Sequence, residues 1–361
     1  MKGQRKLKSN QRGFTLIELM VALVLSFILI GAIYQAFVSQ QKAYTIQDQV
    51  AEAQQNARMA LNILLRDIRM AGYGMADGGI KIGKVTYTHA IEIKKADDKN
   101  PFDSITLVGA FGSPSGYLAC PLDSGSNVLY LWPYDRDFSE EFDSINKKYI
   151  SIGGIDKLEV ASVSGNKVVL NGKISVRYPT AILTKDVGAG TTQIYVYNAN
   201  GLKPGDALSL GNETIIVTEV DDQSAEHSIW VDTDLELAGN QGIIGPQEGG
   251  GGSYPKGTKL NPTPVFRVTA LEYTIDPYTQ SLTREDKAVT ADGGTIAELA
   301  GNILDVTITP EDPGADPNDQ RSYTITLTAR TKKPDANYMQ NDGYRLRQLR
   351  STVALRNPKG V

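Results

Sequence analysis

Phe14 to Val38 is a run of 25 residues in which only Thr15, Glu18, Ser26, Gly31 and Gln35 are not apolar. No other stretch limits the fold as strongly. At ~1.5 Å per residue, a helix of this length is about 37 Å long, against roughly 30 Å of hydrocarbon, so it is long enough to span a bilayer. Residues 1–13 carry Lys2, Arg5, Lys6, Lys8 and Arg12 and no acid. Basic flanks stay on the cytoplasmic side, which sets the N-terminus inside and the rest of the chain outside. Without those five basic residues the net charge falls from −4 to −9, so positive charge is concentrated at one end.

A secretory signal peptide also begins basic and turns apolar. Two features argue against one here. The apolar run is long and no A-x-A site closes it, and the helical pattern continues beyond it. Ile46, Val50, Ala53, Ala57, Leu61, Leu64, Ile68 and Ala71 recur three or four apart and form one apolar stripe. No Pro interrupts 14–71, and Gly72-Tyr73-Gly74 supplies a stop. The expectation is a single helix over 14–74, apolar all round in 14–38 and one-sided beyond. The stripe packs on a sheet of its own domain or pairs with another chain's helix.

Glu18 stands inside the apolar run at a cost of roughly 2.5–3.5 kcal/mol on insertion scales. Thr15-Leu16-Ile17-Glu18 fits the S/T-x-x-E capping box, which satisfies free N–H groups at a helix start, and an acid there also complements the helix dipole. Capping alone is one reading. Capping together with pairing is the other: cleavage after Gly13 would free an α-amine on Phe14, and unit charges ~4 Å apart at an effective dielectric of ~20 attract by about 4 kcal/mol. A neighbour's amine would then offset the insertion cost and favour assembly in register.

Arg12-Gly13-Phe14-Thr15-Leu16-Ile17-Glu18-Leu19-Met20-Val21-Ala22 resembles the class III signal of type IV prepilins. That resemblance implies a membrane peptidase cutting between Gly13 and Phe14, N-methylation of Phe14, and a role for Glu18, with Thr15 beside it, in filament assembly. Ala57 to Leu61 and Leu65-Arg66-Asp67-Ile68-Arg69-Met70-Ala71-Gly72-Tyr73-Gly74 are similar to minor pilins of the PilW type. So, more loosely, are Tyr273, Leu282-Thr283-Arg284, Asn302-Ile303 and Ser351 to Asn357. The middle of the chain carries no resemblance, and the chain is long for a minor pilin. The implied fold is α+β and type IV pilin-like, a long N-terminal helix packed on an antiparallel sheet. The implied partners are prepilin peptidase, the major pilin, other minor pilins, the inner-membrane assembly platform and a PilY-type tip adhesin. The implied location is the inner membrane with a periplasmic C-terminal domain, then the pilus.

The remainder reads as β. Ser322 to Arg330 alternates, with Tyr323, Ile325, Leu327 and Ala329 on one face; Leu271, Tyr273 and Ile275 alternate likewise, as do Leu304, Val306 and Ile308. Residues 75–180 and 265–361 are expected as two parts of one β domain. Between them, 181–237 reads as an inserted small all-β module, with short strands at 194–197, 207–210, 214–217 and 229–231 and turns at Gly188-Ala189-Gly190, Lys203-Pro204-Gly205-Asp206 and Gly211-Asn212. Residues 238–264, with Gly249 to Gly252 and Pro255, Pro262 and Pro264, read as a flexible tether.

Other chemistry is thinly supported. Glu311, Asp312, Asp316 and Asp319 offer oxygens for calcium, but their order is not that of an EF-hand loop, and the intervening prolines favour a solvated loop. One Cys, Cys120, and two distant His exclude a disulfide framework and make structural zinc implausible. Arg345, Arg347, Arg350 and Arg356 form a basic strand, yet the overall charge gives no reason to expect nucleic acid. No G-x-S-x-G, H-E-x-x-H or phosphate loop is present, so no enzymatic activity and no cofactor are expected. Three roles are left: a pilus minor pilin acting at initiation or the tip, a J-like pseudopilin of type II secretion, and a membrane-anchored adhesin or ligand-binding module.

Overall fold

One uninterrupted helix, Leu16–Met70, takes up 55 residues. The computed structural model describes residues 14–75, 79–82, 85–96, 102–142, 149–236, 239–246, 252–287, 296–312, 314, 316, 318 and 320–356. Two compact units emerge, one taking in the helix to Gln55 together with Arg330–Arg347, the other Asn56–Ala329 and Gln348–Val361.

In the first unit the helix is bare from Leu16 to Phe37 on every side. Val38 is half-buried, as are Ile46, Gln49 and Val50 further on, and Ala53 is buried. Within this unit the Lys333 amide donates to Gln49 Oε1 at 3.0 Å. The segment carrying Lys333 is pinned by Arg345, whose Nη2 lies 2.8 Å from Asp335 Oδ2, and by Arg330 stacked over the Tyr344 ring.

In the second unit the apolar stripe does the packing. Ala57, Leu61, Leu64, Ile68 and Ala71 are all buried, as the helical spacing predicts, and Ala60 and Leu65 join them. The helix stops where two glycines take positive φ, Gly72 at 83° and Gly74 at 76°. A Cβ on Gly74 would lie 2.6 Å from the Ser151 side chain, so the stop is also a close approach between backbone and sheet. The Gly72 amide then donates to Val108 O, which ties the helix end to the sheet edge to edge.

The strand Pro264–Ile275 is the hub of the second unit. Its later part pairs antiparallel with Ser104–Gly109 on one side and Leu282–Asp286 on the other. Ile91–Lys94 and Ile296–Ala300 extend that sheet at either edge. Leu271, Tyr273 and Ile275 alternate into the core with Ile105, Leu107 and Ile91, forming the buried side of a half-solvated sheet. The early part of the same strand changes partners, to Gly116–Leu118 and Tyr149–Ile152. Pairing then runs from Gly116–Leu118 through Val128–Trp132, Lys167–Leu170 and Asp156–Ser164 to Tyr149–Ile152 and back to the hub. Six strands thus close into a ring around Leu129, Leu131, Ile150, Val160, Val168 and Val265, with Phe138 and Phe142 also in this core. Closure removes the free edges that an open sheet of short strands would expose.

Ile303–Pro310, Ser322–Arg330 and Leu346–Ala354 form a separate three-stranded sheet. Burial along Ser322–Arg330 alternates without a break. In Ile303–Pro310 the expected Val306 and Ile308 are buried, but Ile303 takes the buried place expected of Leu304, which is only half-buried. A register shift between Ile303 and Asp305 is the cause, because one extra residue in a strand turns its side chains to the other face.

The inserted module contains four main strands, Gln193–Tyr195, Ser228–Asp232, Glu213–Asp221 and Ala207–Leu210, in that spatial order. Its extent differs from the expected 181–237 plus tether. Lys259–Leu260 pairs with Ala181–Ile182, and Ser253–Tyr254 with Val187–Gly188. Ile243, Tyr254 and Leu260 are buried in the module core. Apolar side chains within a Gly/Pro-rich stretch therefore fold back and close the module at its base. Of the expected tether, residues 239–246 and 252–264 are described; 238 and 247–251 lie outside the described residues. The module is fastened to the ring of strands by Arg177. Its Nε reaches Asp123 Oδ1 at 3.1 Å, and its Nη1 and Nη2 reach the two Asp206 oxygens at 2.5 and 2.6 Å.

Candidate functional site

The start of the helix is built by two side chains. Thr15 precedes the first helical residue, Leu16, and takes the N-cap position. Its backbone N–H and its hydroxyl both donate to Glu18 Oε2 at 2.9 Å, and the Glu18 amide lies 3.3 Å from Thr15 Oγ1. This reciprocal pattern is the capping box, with two otherwise orphaned donors satisfied. Among the described residues no ion pair involves Glu18. One Glu18 oxygen, Oε2, is engaged by Thr15. Gly13 lies outside the described residues, while Phe14 is 89% exposed.

From here the helix presents apolar side chains in every direction, among them Leu16, Ile17, Met20, Phe27, Ile33 and Phe37, none less than half exposed. The helix is long and apolar enough here, by length and composition, to cross a membrane. Such a surface is stable only in lipid or against other apolar helices.

At the far end of the helix a second cluster fixes it to the sheet. Asp67 is 2% exposed and sits between Leu64 and Ile68 on the buried face. Tyr273 Oη donates to Asp67 Oδ2, Arg284 Nη1 lies 3.4 Å from the same oxygen, and Arg66 Nε is 3.0 Å from Oδ1. Tyr273 and Arg284 are directly opposite one another on neighbouring strands, so a single pair of register partners supplies two of the three donors. Burial, and after it the Asp67 charge, push the Tyr273 phenol well above its usual range. The end of the helix and the strand pair Pro264–Ile275 and Leu282–Asp286 meet in this cluster. No role was assigned to Asp67, Tyr273 or Arg284 from sequence. The available signal was an acid inside an apolar stripe, a position that demands partners.

The acidic loop arranges its oxygens inward to the chain. Asp312 Oδ1 accepts the Gly314 amide and Asp316 Oδ1 the Asn318 amide, while Gln320 bridges the loop through Asp312. Glu311 is exposed, and Asp319 lies outside the described residues. Among the described residues no three His, Cys, Asp or Glu side chains converge in a metal-binding group. Cys120 is buried, and burial pushes its thiol up to about 11.

Residues 8–34 match the family model of the prokaryotic N-terminal methylation motif. No curated protein and no solved structure matches the chain. The matched span covers the end of the basic leader, Gly13, Phe14, the capping box and most of the apolar run. It is a class III prepilin signal and supports a type IV pilin-like or pseudopilin precursor that prepilin peptidase processes. Families bearing this signal are structural subunits, generally without enzymatic activity. Signal and apolar helix together support a membrane-anchored subunit.

Proposed function

We propose that the chain is a minor pilin of the PilW type, taking part in type IV pilus assembly at initiation or near the tip. The observation that carries this reading is the continuity of a class III signal with a capped helix start and more than five turns of bare apolar helix. Gly13 and Phe14 flank the cut, Phe14 is methylated, and Glu18, oriented by Thr15, draws the subunit into register against a neighbour's free amine. The uncut chain sits in the inner membrane with its β domain in the periplasm and passes from there into the pilus. Its partners are prepilin peptidase, the major pilin, other minor pilins, the assembly platform and a PilY-type adhesin.

Mass spectrometry of the mature chain tests the processing step, with a methylated Phe14 expected at the N-terminus; any other first residue removes it. Glu18→Val is expected to be cut normally and yet to be lost from sheared filaments. Normal piliation in that variant rules Glu18 out of assembly. A J-like pseudopilin is supported equally by the signal. Deletion separates the two, since loss of pili supports the pilus and loss of enzyme secretion the type II system.

A further inference from the structure

On the outside of the ring of strands, where the module joins it, three aromatic rings meet and two more flank them. Trp132 and Tyr117 are register partners on adjacent strands, and Tyr130 is two residues before Trp132 on the same face. Trp132 stands edge-on to Tyr134 at 6.0 Å and to Tyr197 of the module at 6.3 Å, and Tyr134 and Tyr197 stack at 3.7 Å. Tyr197 is 44% and Tyr130 37% exposed, and the other three are half-buried.

Three properties of this patch point to one kind of ligand. First, the polar tips are unused. Among the described residues no hydrogen bond engages the hydroxyls of Tyr117, Tyr130, Tyr134 or Tyr197 or the Trp132 indole N–H, and none of these atoms is fully buried. Tyrosine and tryptophan tips in a purely structural joint usually find a protein partner. Second, the patch is close to neutral. The one cation over these rings is Lys259, 4.5 Å from the Tyr117 centroid, and burial keeps the Tyr134 phenol protonated far above neutral pH. Third, the patch is preformed, because Tyr197 of the module is already stacked on Tyr134, and the Arg177 bridge to Asp123 and Asp206 also ties module to ring. Preorganised rings lose little entropy on binding.

We propose that Tyr117, Tyr130, Trp132, Tyr134 and Tyr197 form a binding site for neutral carbohydrate. A pyranose offers an apolar C–H face for the rings and a rim of hydroxyls for the five free donors. Among the described residues the one cation over these rings is Lys259, at the Tyr117 end of the patch. This site stands apart from the pilus reading and survives its failure.

The test uses the full chain in a detergent without a sugar headgroup, with Trp230→Phe introduced so that fluorescence reports Trp132. Chitohexaose, cellohexaose and maltohexaose are titrated, with decaproline as the competing aromatic-groove ligand. A saturable change is expected with at least one hexasaccharide, weakened about tenfold or more by Tyr130→Ala, which removes the ring that lies outside the stacked joint. Tyr197→Phe, which keeps the stack and removes only the hydroxyl, is expected to weaken binding less. The proposal fails if no sugar gives saturation up to about 10 mM, if decaproline binds and the sugars do not, or if Tyr130→Ala binds as tightly as its parent.

Discussion

Tyr273 donates its phenolic proton to Asp67 across 206 residues of sequence, and Arg284, its register partner, reaches the same carboxylate. A buried carboxylate on an apolar helix face is costly unless it is paired and hydrogen-bonded. Here the sheet supplies both partners from one position on each of two strands, and only one rotation of the helix brings Asp67 to them. The cluster therefore sets which face of Asn56–Met70 lies on the sheet.

Tyr273→Phe is expected to cost about 1–2 kcal/mol, and Asp67→Ala about 3 kcal/mol because it leaves Arg284 and the phenol without their acceptor. Chemical denaturation of the two single variants and the double variant reads the coupling. Additive losses mean that the two groups do not act together.

Alkaline stability follows from the raised phenols. Tyr273 is shifted up by burial and Asp67, and Tyr254 is pushed up to about 12 by burial and its bond to Glu213. An unfolded tyrosine loses its proton near pH ~10. Above that pH the unfolded chain holds fewer protons than the folded one, so stability is complete below about pH 10 and falls as pH rises. Tyr273→Phe should be less stable at pH 7 and show a shallower decline between about pH 10 and 12. A parallel decline in parent and variant contradicts this.

Gly74→Ala introduces both a strained left-handed backbone and a Cβ 2.6 Å from Ser151. A loss of about 2 kcal/mol or more is expected, read from the midpoint of urea unfolding. Gly112→Ala shares the positive φ but meets nothing within 4 Å, so it should cost about 1 kcal/mol, the backbone strain alone.

Asp206 links the module to Arg177. Burial by itself would raise its carboxyl, but hydrogen bonds from Arg177 and the Lys203 amide outweigh burial and hold it low. A carboxyl lowered in the folded state contributes stability above its unfolded value of ~3.9 and loses it as pH falls further. Acidification below about pH 4 should therefore loosen the module before the ring, and Arg177→Ala should do the same at pH 7. Limited proteolysis within 181–260 measures it; equal protection of parent and variant at pH 7 counts against the bridge.

Local periodicity made much of this fold legible in the sequence. The stripe from Ala57 to Ala71, the alternation of Ser322–Arg330 and the Thr15–Glu18 box each depend on residues a few positions apart. What stayed hidden depends on distant partners. Ring closure rests on pairings such as Val265 with Ile152, and the Asp67 cluster on a strand two hundred residues away. The stretch expected as a tether reads as glycine and proline, and only the buried positions of Ile243, Tyr254 and Leu260 turn it into the module's base. Leu304 was misplaced by a single bulge, which alternation cannot foresee.

Pro264–Ile275 belongs at once to the closed ring and to the sheet beneath the helix. Neither layer can melt without taking hydrogen bonds from the other. Heat or a pulling force applied anywhere along this backbone is thus met by both layers as one cooperative block.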